Sequence, residues 1–219
     1  MQQGPLSSLE RNGEYAVLIG AMEGVGRSSA FELAKRGMNL VIIDNDIKEL
    51  YALSEEIKST YGVKCIFINA DFIEDDSVYQ IISEKLSNKD VSLLINFSDI
   101  IGKQSCLFLN ETNENIQKMI AINMASVLNM IRIVLPEMLR MKKGTIIHVT
   151  RLTATTPTSY LSLYSSLKGF VLHLTEALDM EYEDLEKPLH FETIFSLDRN
   201  SDSNELFNFL RSKTVGKAN

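Results

Sequence analysis

Short apolar runs alternate along the chain with longer stretches in which apolar residues recur every three or four positions. The short runs are YAVLIG (15–20), LVIID (40–44), CIFINAD (65–71), VSLLINF (91–97), TIIHVT (145–150) and HFETIFSL (190–197). Runs of this length, bounded by polar segments, predict buried strands. The longer stretches predict helices at about 25–37, 46–61, 75–87, 113–141 and 159–185, with one more short helix at 203–213.

This alternation determines the expected fold class. Strands that are buried on both faces and separated by helices point to βαβ units, and right-handed crossovers then join them into one parallel sheet. We therefore expect an α/β protein with a single Rossmann-type doubly wound sheet flanked by helices. The chain contains no repeats or linkers, so we divide it into an N-terminal extension (1–12), one domain (13–200) and a C-terminal tail (201–219).

Composition narrows the class of protein. The 219 residues are 45% hydrophobic and 23% charged, which is typical of one soluble globular domain. A net charge of −7 without a basic cluster argues against nucleic acid as a partner. The chain shows no apolar run of the roughly 20 residues that span a bilayer and no signal peptide, so we expect a cytoplasmic protein without a transmembrane segment. Cys65 and Cys106 form no metal or redox motif and are expected to be buried thiols.

A glycine-rich loop follows the first predicted strand. Gly20, Gly24 and Gly26 are spaced G-x-x-x-G-x-G and lead into the first predicted helix. Glycines at such a turn let a pyrophosphate approach the helix N-terminus, where free N–H groups and the helix dipole favour anions. This context predicts dinucleotide binding rather than a merely tight turn.

An acidic residue ends the second predicted strand, 18 residues after the last glycine. Asp44 is placed to accept hydrogen bonds from the adenosine ribose, and a solvated acid at a strand end is the alternative. With Asp46 beside it a 2′-phosphate would meet like charge, which favours NAD(H) over NADP(H). Arg27, just after the last glycine, is the opposing feature. Asp71, followed by Phe72, is the candidate for contact with the adenine edge.

Tyr164 and Lys168, four residues apart, lie in the stretch HVTRLTATTPTSYLSLYSSLKGF. Together with NGEYAVLIGAMEGVGRSSAFELAKRGMNLVIID and INMASVLNMIRIVLPEMLRMKKGTIIHVT, this stretch resembles the short-chain dehydrogenase/reductase family over residues 12 to about 195. It looks most like the branch of 17β-hydroxysteroid dehydrogenases and very-long-chain 3-oxoacyl-CoA reductases. The resemblance implies hydride transfer between a nicotinamide and a hydroxyl or ketone carbon, on a steroid or acyl-chain substrate.

The resemblance also implies roles for particular residues. Tyr164 would be the general acid/base, and Lys168 would supply the positive charge that a phenol with an ordinary pKa of about 10 needs near neutrality. Asn123 matches the family's catalytic asparagine. The implied cofactor-binding set is Gly20, Gly24, Val25, Gly26, Asp44, Asp71, Phe72, Asn96 and Lys168.

The chain departs from the family's pattern around the chemistry. The family's catalytic serine falls on Arg151, and the loss of one such donor typically costs about 10²–10³ in rate. The family's Asn-Asn-x-Gly reads Asn96-Phe97-Ser98-Asp99 here, which puts a ring and a carboxylate where the backbone should approach the cofactor. The proline expected after the sixth strand is Ser196. We therefore expect weak or absent catalysis.

Three interpretations stay open. The first is an active NAD(P)-dependent oxidoreductase in which Arg151 polarises the substrate carbonyl. The second is a pseudoenzyme that binds a dinucleotide as a sensor or as a regulatory subunit. The third is an interaction or scaffold protein without a cofactor.

All three interpretations predict a homodimer. Members of the family pair through the long helix and the helix that carries the Tyr/Lys pair, and that second helix is apolar on more than one face. Cover of its outer face by the C-terminal tail is the alternative. His148 and His173 fall inside the apolar pattern and are expected to be core histidines with satisfied hydrogen bonds.

Overall fold

The computed structural model describes residues 14–73, 77–101, 105–183 and 189–195. Its strands are β1 (Tyr15–Ile19), β2 (Asn39–Asp44), β3 (Cys65–Asn69), β4 (Val91–Asn96), β5 (Thr145–Thr150) and β6 (His190–Phe195). Its α-helices are α1 (Gly24–Lys35), α2 (Ile47–Tyr61), α3 (Ser77–Leu86), α4 (Asn113–Ile120), α5 (Ser126–Met141) and α6 (Ser162–Tyr182). A π-helical turn, Ala121–Ala125, joins α4 to α5.

All six strands form one parallel sheet in the order β3-β2-β1-β4-β5-β6. This order is that of a doubly wound dinucleotide-binding fold, so the predicted Rossmann-type fold class is confirmed. The chain adds β2 and β3 on one side of β1 and then adds β4, β5 and β6 on the other side, so the strand order reverses between β1 and β4. Ligands of such sheets bind outside the carboxyl ends of the strands at this switch point. The glycine loop after β1 and the segment after β4 both lie there.

The strands read as continuous apolar runs because helices cover both faces of the sheet. Leu18 of β1 belongs to a buried cluster with Leu33 of α1 and Leu53 of α2. Ile19, next along the strand, points to the other face and belongs to a cluster with Met130 of α5 and Val171 of α6. Each of these fully buried side chains contributes on the order of 1.5–3 kcal/mol of transfer free energy.

Helix α2 shows how the local sequence fixes an element. It begins after Asp46, whose side chain accepts hydrogen bonds of 3.0 and 3.1 Å from the N–H groups of Lys48 and Glu49. It ends at Gly62, which adopts a left-handed φ of 69° and donates its N–H to the carbonyl of Lys58. Asp46, which the sequence analysis considered as a charge near the cofactor, therefore also serves as a helix cap.

Every strand and helix that was predicted within the described ranges is present, with ends shifted by up to three residues. The predicted helix 113–141 is continuous but contains the π-helical turn. Its length and composition alone would allow Asn113–Met141 to cross a membrane, the one such helix among the described residues. The core helix of a soluble protein passes the same test, and Val127, Val134 and Met138 pack against the sheet. The predicted helix 203–213 and Ser196 lie outside the described residues.

Candidate active site

A cleft of about 290 Å³ opens at the carboxyl ends of the strands, at the switch point between β1 and β4. Its walls come from the glycine loop, from the end of β2, from the segment after β4 and from the end of β5. This volume is at the lower end of the roughly 300–1,000 Å³ that small-molecule sites usually occupy. Four of the residues predicted to bind a dinucleotide line the cleft, namely Gly20, Val25, Gly26 and Asp44, and side chains narrow it.

The glycine loop is packed so tightly that its glycines are required. Gly20 has a φ of +73°, and a Cβ added there would lie 3.0 Å from the backbone nitrogen of Ser98. A Cβ added at Gly26 would lie 2.8 Å from the Cα of Ala21. Helix α1 begins at Gly24 and has no side-chain hydrogen bond at its N-cap, Glu23. Its first N–H groups therefore suit an anion in the cleft, and the predicted phosphate-binding end fits a dinucleotide.

Two carboxylates line the cleft within and beside the glycine loop. Asp44 is half-buried at the end of β2, and Glu23 lines the same cleft. Burial is the largest cause that raises the pKa of the Asp44 carboxyl above its ordinary value, and the charges of Asp46 and Glu23 add to it against the opposing backbone hydrogen bonds. Sequence reasoning missed Glu23, although its position inside the glycine motif was a signal.

Arg27, the feature that opposed a preference for NAD(H), is directed to a different partner. Its guanidinium forms an ion pair of 2.6 Å with Glu56 on α2. It also lies 5.4 Å from the centre of the Phe31 ring. The side chain is not among those that line the cleft.

Asp71 and Phe72, which were predicted to contact the adenine edge, are not among the residues that line the cleft. Asp71 accepts a hydrogen bond of 2.9 Å from the N–H of Ile73, which stabilises the turn after β3. Phe72 stacks on Tyr79 of α3, with 5.6 Å between the ring centres. Their proposed role at the adenine edge stays a prediction.

The segment after β4 forms another wall of the cleft and packs directly against the glycine loop. Asn96 is buried, and its side-chain oxygen accepts a hydrogen bond of 2.8 Å from the N–H of Ser98. Phe97 lines the cleft, and its ring lies 3.3 Å from the position that a Cβ on Gly26 would take. The ring therefore rests on the glycine loop and narrows the space above it.

The carboxylate of Asp99 joins the residues that were predicted to be catalytic. The hydroxyl of Tyr164 donates a hydrogen bond of 3.0 Å to its Oδ2 atom. Nε of Arg151 donates to the same oxygen, also at 3.0 Å. Nζ of Lys168 forms an ion pair with Oδ1 at 3.1 Å and donates to the carbonyl of Ser98 at 3.3 Å. Sequence reasoning treated Asp99 as a source of repulsion toward phosphates and did not foresee these contacts.

These groups are largely shielded from solvent. The side-chain exposure is 4% for Lys168 and 16% for Asp99, and Tyr164 is 1% exposed. Burial by itself would raise the pKa of the Asp99 carboxyl, but Lys168, Tyr164 and Arg151 together hold it below its ordinary value. Asp99 is therefore ionised at neutral pH.

Arg151, at the position where the resemblance implies a serine, belongs to the same group of contacts around Asp99. Arg151 is 33% exposed, lines the cleft and turns its guanidinium onto Asp99. The neighbouring Thr150 also lines the cleft, and its hydroxyl is turned away from solvent. It is buried and has no hydrogen-bond partner among the described residues.

Asn123 lies fully buried in the π-helical turn between α4 and α5. Its side-chain nitrogen donates to the carbonyls of Ile100 and Met119, each at 3.0 Å. Its oxygen accepts a bond of 3.3 Å from the N–H of Ile100. The carboxamide therefore holds the backbone next to Asp99, and π-helical turns of this kind often lie at functional sites.

The two histidine predictions were wrong in different ways. His148 is buried, but neither ring nitrogen has a hydrogen-bond partner within the described ranges. Burial, followed by the charge of Lys168, lowers the pKa of His148 to about 4, so the ring is neutral at physiological pH. The side chain of His173 is 91% exposed and lies 3.7 Å from Glu176.

The cysteine prediction was right for one of the two thiols. Cys65 is buried, and burial raises its pKa to about 11. Cys106 is half-buried and donates to a side-chain oxygen of Glu111 at 3.3 Å.

Comparison with known proteins agrees with this fold. The family model for short chain dehydrogenases matches residues 14–186. The 17-beta-hydroxysteroid dehydrogenase type 3 of Homo sapiens is 37% identical over 180 residues, covering 82% of this chain and 57% of that protein. The very-long-chain 3-oxoacyl-CoA reductase of Anas platyrhynchos is 37% identical over 173 residues, covering 78% and 55%. The inactive hydroxysteroid dehydrogenase-like protein 1 of Homo sapiens is 32% identical over 174 residues, covering 80% and 53%. The chain therefore spans a little over half the length of these relatives.

Proposed function

The chain belongs to the short chain dehydrogenase family, and on that premise we propose that it binds a nicotinamide dinucleotide and that its hydride-transfer chemistry is suppressed. The observation that carries the proposal is the contrast between the two ends of the cleft. The glycine loop and the first turn of α1 line the cleft, where a phosphate would meet backbone N–H groups, whereas Asp99 takes up the hydroxyl of Tyr164 and the ammonium of Lys168.

The chemistry that is suppressed follows from the residues present. A bound nicotinamide would supply or accept the hydride, on a hydroxysteroid or 3-oxoacyl type of substrate. Tyr164 would give or take the proton at the substrate oxygen, and this requires a free phenolic oxygen. Lys168 would favour loss of that proton through its positive charge. In this chain the carboxylate of Asp99 holds the phenolic proton and offsets the charge of Lys168 at 3.1 Å.

The cofactor preference that we propose is NAD(H) over NADP(H). Two carboxylates line the cleft, Asp44 at the end of β2 and Glu23 within the glycine loop, and a 2′-phosphate would add at least one more negative charge beside them. Arg27 is paired with Glu56, so it supplies no unpaired charge for that phosphate.

A second candidate is a pseudoenzyme that senses a nucleotide or regulates a partner. The full set of contacts on Asp99 favours it, and one of the relatives is itself described as inactive. This candidate predicts nucleotide binding without turnover. An active enzyme, by contrast, should lose its turnover of steroid or long-chain ketones when Tyr164 is replaced by Phe.

We place the protein in the cytoplasm as a homodimer, and both statements are proposals. Phe170, Leu174 and Leu178 of α6 are only partly buried in the single chain, which suits a second copy packed against this helix. Light scattering at micromolar concentration tests the dimer, and a monomeric mass would count against it.

Thermal-shift titrations with NADH and with NADPH test the proposed function. A ligand at about 100 times its dissociation constant stabilises the folded state by roughly 2.7 kcal/mol. We expect this shift with NADH and a much smaller one with NADPH, and Asp44→Asn should narrow the difference. If neither nucleotide shifts the transition, the cleft is closed and the third interpretation, a protein without a cofactor, is correct.

A further inference from the structure

Three hydrogen-bond donors from two separate parts of the chain converge on one carboxylate. Arg151 follows β5, whereas Tyr164 and Lys168 are one turn apart on α6. Together they contact both oxygens of Asp99 at 3.0–3.1 Å. Arg151 and Lys168 carry a positive charge. Burial fixes the side chains of Tyr164 and Lys168, and the ion pair with Asp99 fixes that of Arg151.

We propose that Arg151, Lys168 and Tyr164 form a carboxylate-binding site, which Asp99 fills as an internal ligand. When the side chain of Asp99 is removed, the site binds a free carboxylate. In the wild-type chain Asp99 occupies the site, so a free carboxylate does not bind. This inference goes beyond nucleotide binding and does not depend on it.

The charges explain why the ligand is an anion. Arg151 and Lys168 bring two positive charges, and Asp99 returns one negative charge, so the constellation keeps a net charge of +1 with its internal ligand in place. A neutral carbonyl could accept the hydrogen bond from Tyr164 but would leave the buried ammonium of Lys168 without a counter-ion, which is costly away from water. A carboxylate meets all three donors and this charge at once.

The geometry explains why the site should survive removal of the Asp99 side chain. The backbone is held on both sides of Asp99. Ser98 donates to Asn96 and accepts from Lys168, and Ile100 is bonded twice to Asn123. None of these bonds uses the side chain of Asp99. A truncated residue at position 99 would therefore leave this backbone segment and the buried side chains of Tyr164 and Lys168 around an empty space. Arg151, which is partly exposed and pairs with Asp99, would be drawn back by the incoming carboxylate.

Access to that space is available through the cleft. Asp99 and Arg151 both line it, and its volume of about 290 Å³ is ample for a one- or two-carbon acid. Burial of Tyr164 and Lys168 on the other side directs a ligand to approach from the cleft. A larger ligand that displaced Asp99 in the wild-type chain would have to bring its own carboxylate.

The test is a titration of Asp99→Ala with sodium formate and sodium acetate, followed by thermal unfolding and calorimetry without any nucleotide. Sodium chloride at the same ionic strength corrects for salt effects, and formamide is the neutral analogue of formate. We expect saturable stabilisation of Asp99→Ala by formate, with no effect of formamide and no saturable effect on the wild type. Adding Arg151→Met to Asp99→Ala should weaken formate binding at least ten-fold.

Glu56→Ala is the matched control, because it removes an acid that pairs with a surface arginine, Arg27, outside this site. It should gain no formate site. Equal responses to formate and chloride in Asp99→Ala, or the same formate response in the wild type, would overturn the proposal. If Asp99→Ala does not fold, refolding it with formate or with chloride decides: recovery with formate alone supports the site, and recovery with neither rejects it. Since no nucleotide is present, a negative result leaves the proposed dinucleotide binding untouched.

Discussion

The hydroxyl of Tyr164 donates its hydrogen bond to the carboxylate of Asp99 at 3.0 Å. A phenol engaged in this way directs its proton to the carboxylate and not to a substrate oxygen, and the same carboxylate pairs with Lys168. The suppression of hydride transfer that we propose therefore rests on more than the arginine at position 151. It rests also on an acidic side chain that contacts the predicted general acid/base.

The first prediction concerns the effect of this carboxylate on stability. Asp99→Asn should lower the free energy of unfolding by about 3 kcal/mol at pH 7. This value is at the low end of the cost of removing one charge of a buried ion pair, since the amide oxygen of asparagine can still accept a hydrogen bond from Tyr164. The pKa of Asp99 is lowered in the folded state, so its contribution is complete above the unfolded value of about 3.9 and disappears as pH falls through the folded value.

Urea unfolding of both proteins from pH 8 to pH 2 checks this dependence. The difference between wild type and Asp99→Asn should be constant down to about pH 5 and should shrink below about pH 4. A difference that stays the same at pH 2 would show that the carboxylate charge contributes nothing.

The second prediction concerns His148, which is buried without a hydrogen-bond partner among the described residues. Its folded pKa of about 4 is below the unfolded value of about 6.5, so the unfolded chain binds the proton first as the pH falls. Stability should therefore decrease by up to about 1.4 kcal/mol per pH unit between pH 6.5 and pH 4. His148→Leu should remove that slope and, at pH 8, should cost little because no hydrogen bond is lost. His173→Gln, at an exposed position, is the control and should keep the slope.

The third prediction compares two glycines with almost the same backbone conformation. Gly20 and Gly62 have φ of +73° and +69°, but a Cβ at Gly20 would press on the backbone of Ser98, whereas nothing lies within 4 Å of one at Gly62. Gly62→Ala should cost roughly 1–2 kcal/mol, the usual penalty of a left-handed residue. Gly20→Ala should cost about 1–3 kcal/mol more through overpacking and should abolish nucleotide binding. Equal urea midpoints for the two variants would contradict the close packing at Gly20.

The fourth prediction concerns reactivation. Arg151→Ser alone leaves Asp99 on Tyr164, and Asp99→Gly alone leaves the bulky arginine at the cleft. Ketone reduction with NADH should therefore rise far more in the double variant than the two single effects combined, because residues of one constellation do not act additively. A panel of steroid and long-chain ketones measures this, with Tyr164→Phe added to the double variant as the inactive control. Activity that is equal in Arg151→Ser and in the double variant would show that Asp99 does not block the reaction.

Sequence reasoning predicted the fold almost completely because the signals are local. Strand β5 was predicted over the residues that form it, 145–150, since a run of apolar residues buried on both faces is visible in the letters themselves. The π-helical turn at Ala121–Ala125 was missed, because one extra residue in a turn barely alters an apolar period. His173 was misplaced because its apolar neighbours suggested burial. The buried face of α6 actually runs through Lys168, Val171 and Thr175, on the opposite side of the helix.

Spacing along the chain predicted residues that the structure places around one cleft, but it did not predict their contacts. Gly20, Gly26 and Asp44 were chosen for their spacing, and all three line the cleft. The contact between Asp99 and Tyr164 joins segments that are far apart in sequence, and nothing in either segment indicates which way a carboxylate turns. The local signal at Asp99 was an acidic residue at a position that favours glycine, and the chemical meaning of that substitution needed coordinates.

The strand order described above has a consequence for substitutions at this site. Both Asp99 and Arg151 lie beyond the carboxyl ends of strands, on segments that the sheet carries without depending on them for its core. Either residue can therefore be replaced while the strands and helices keep their packing, so the chemistry of the cleft can change without a change of scaffold.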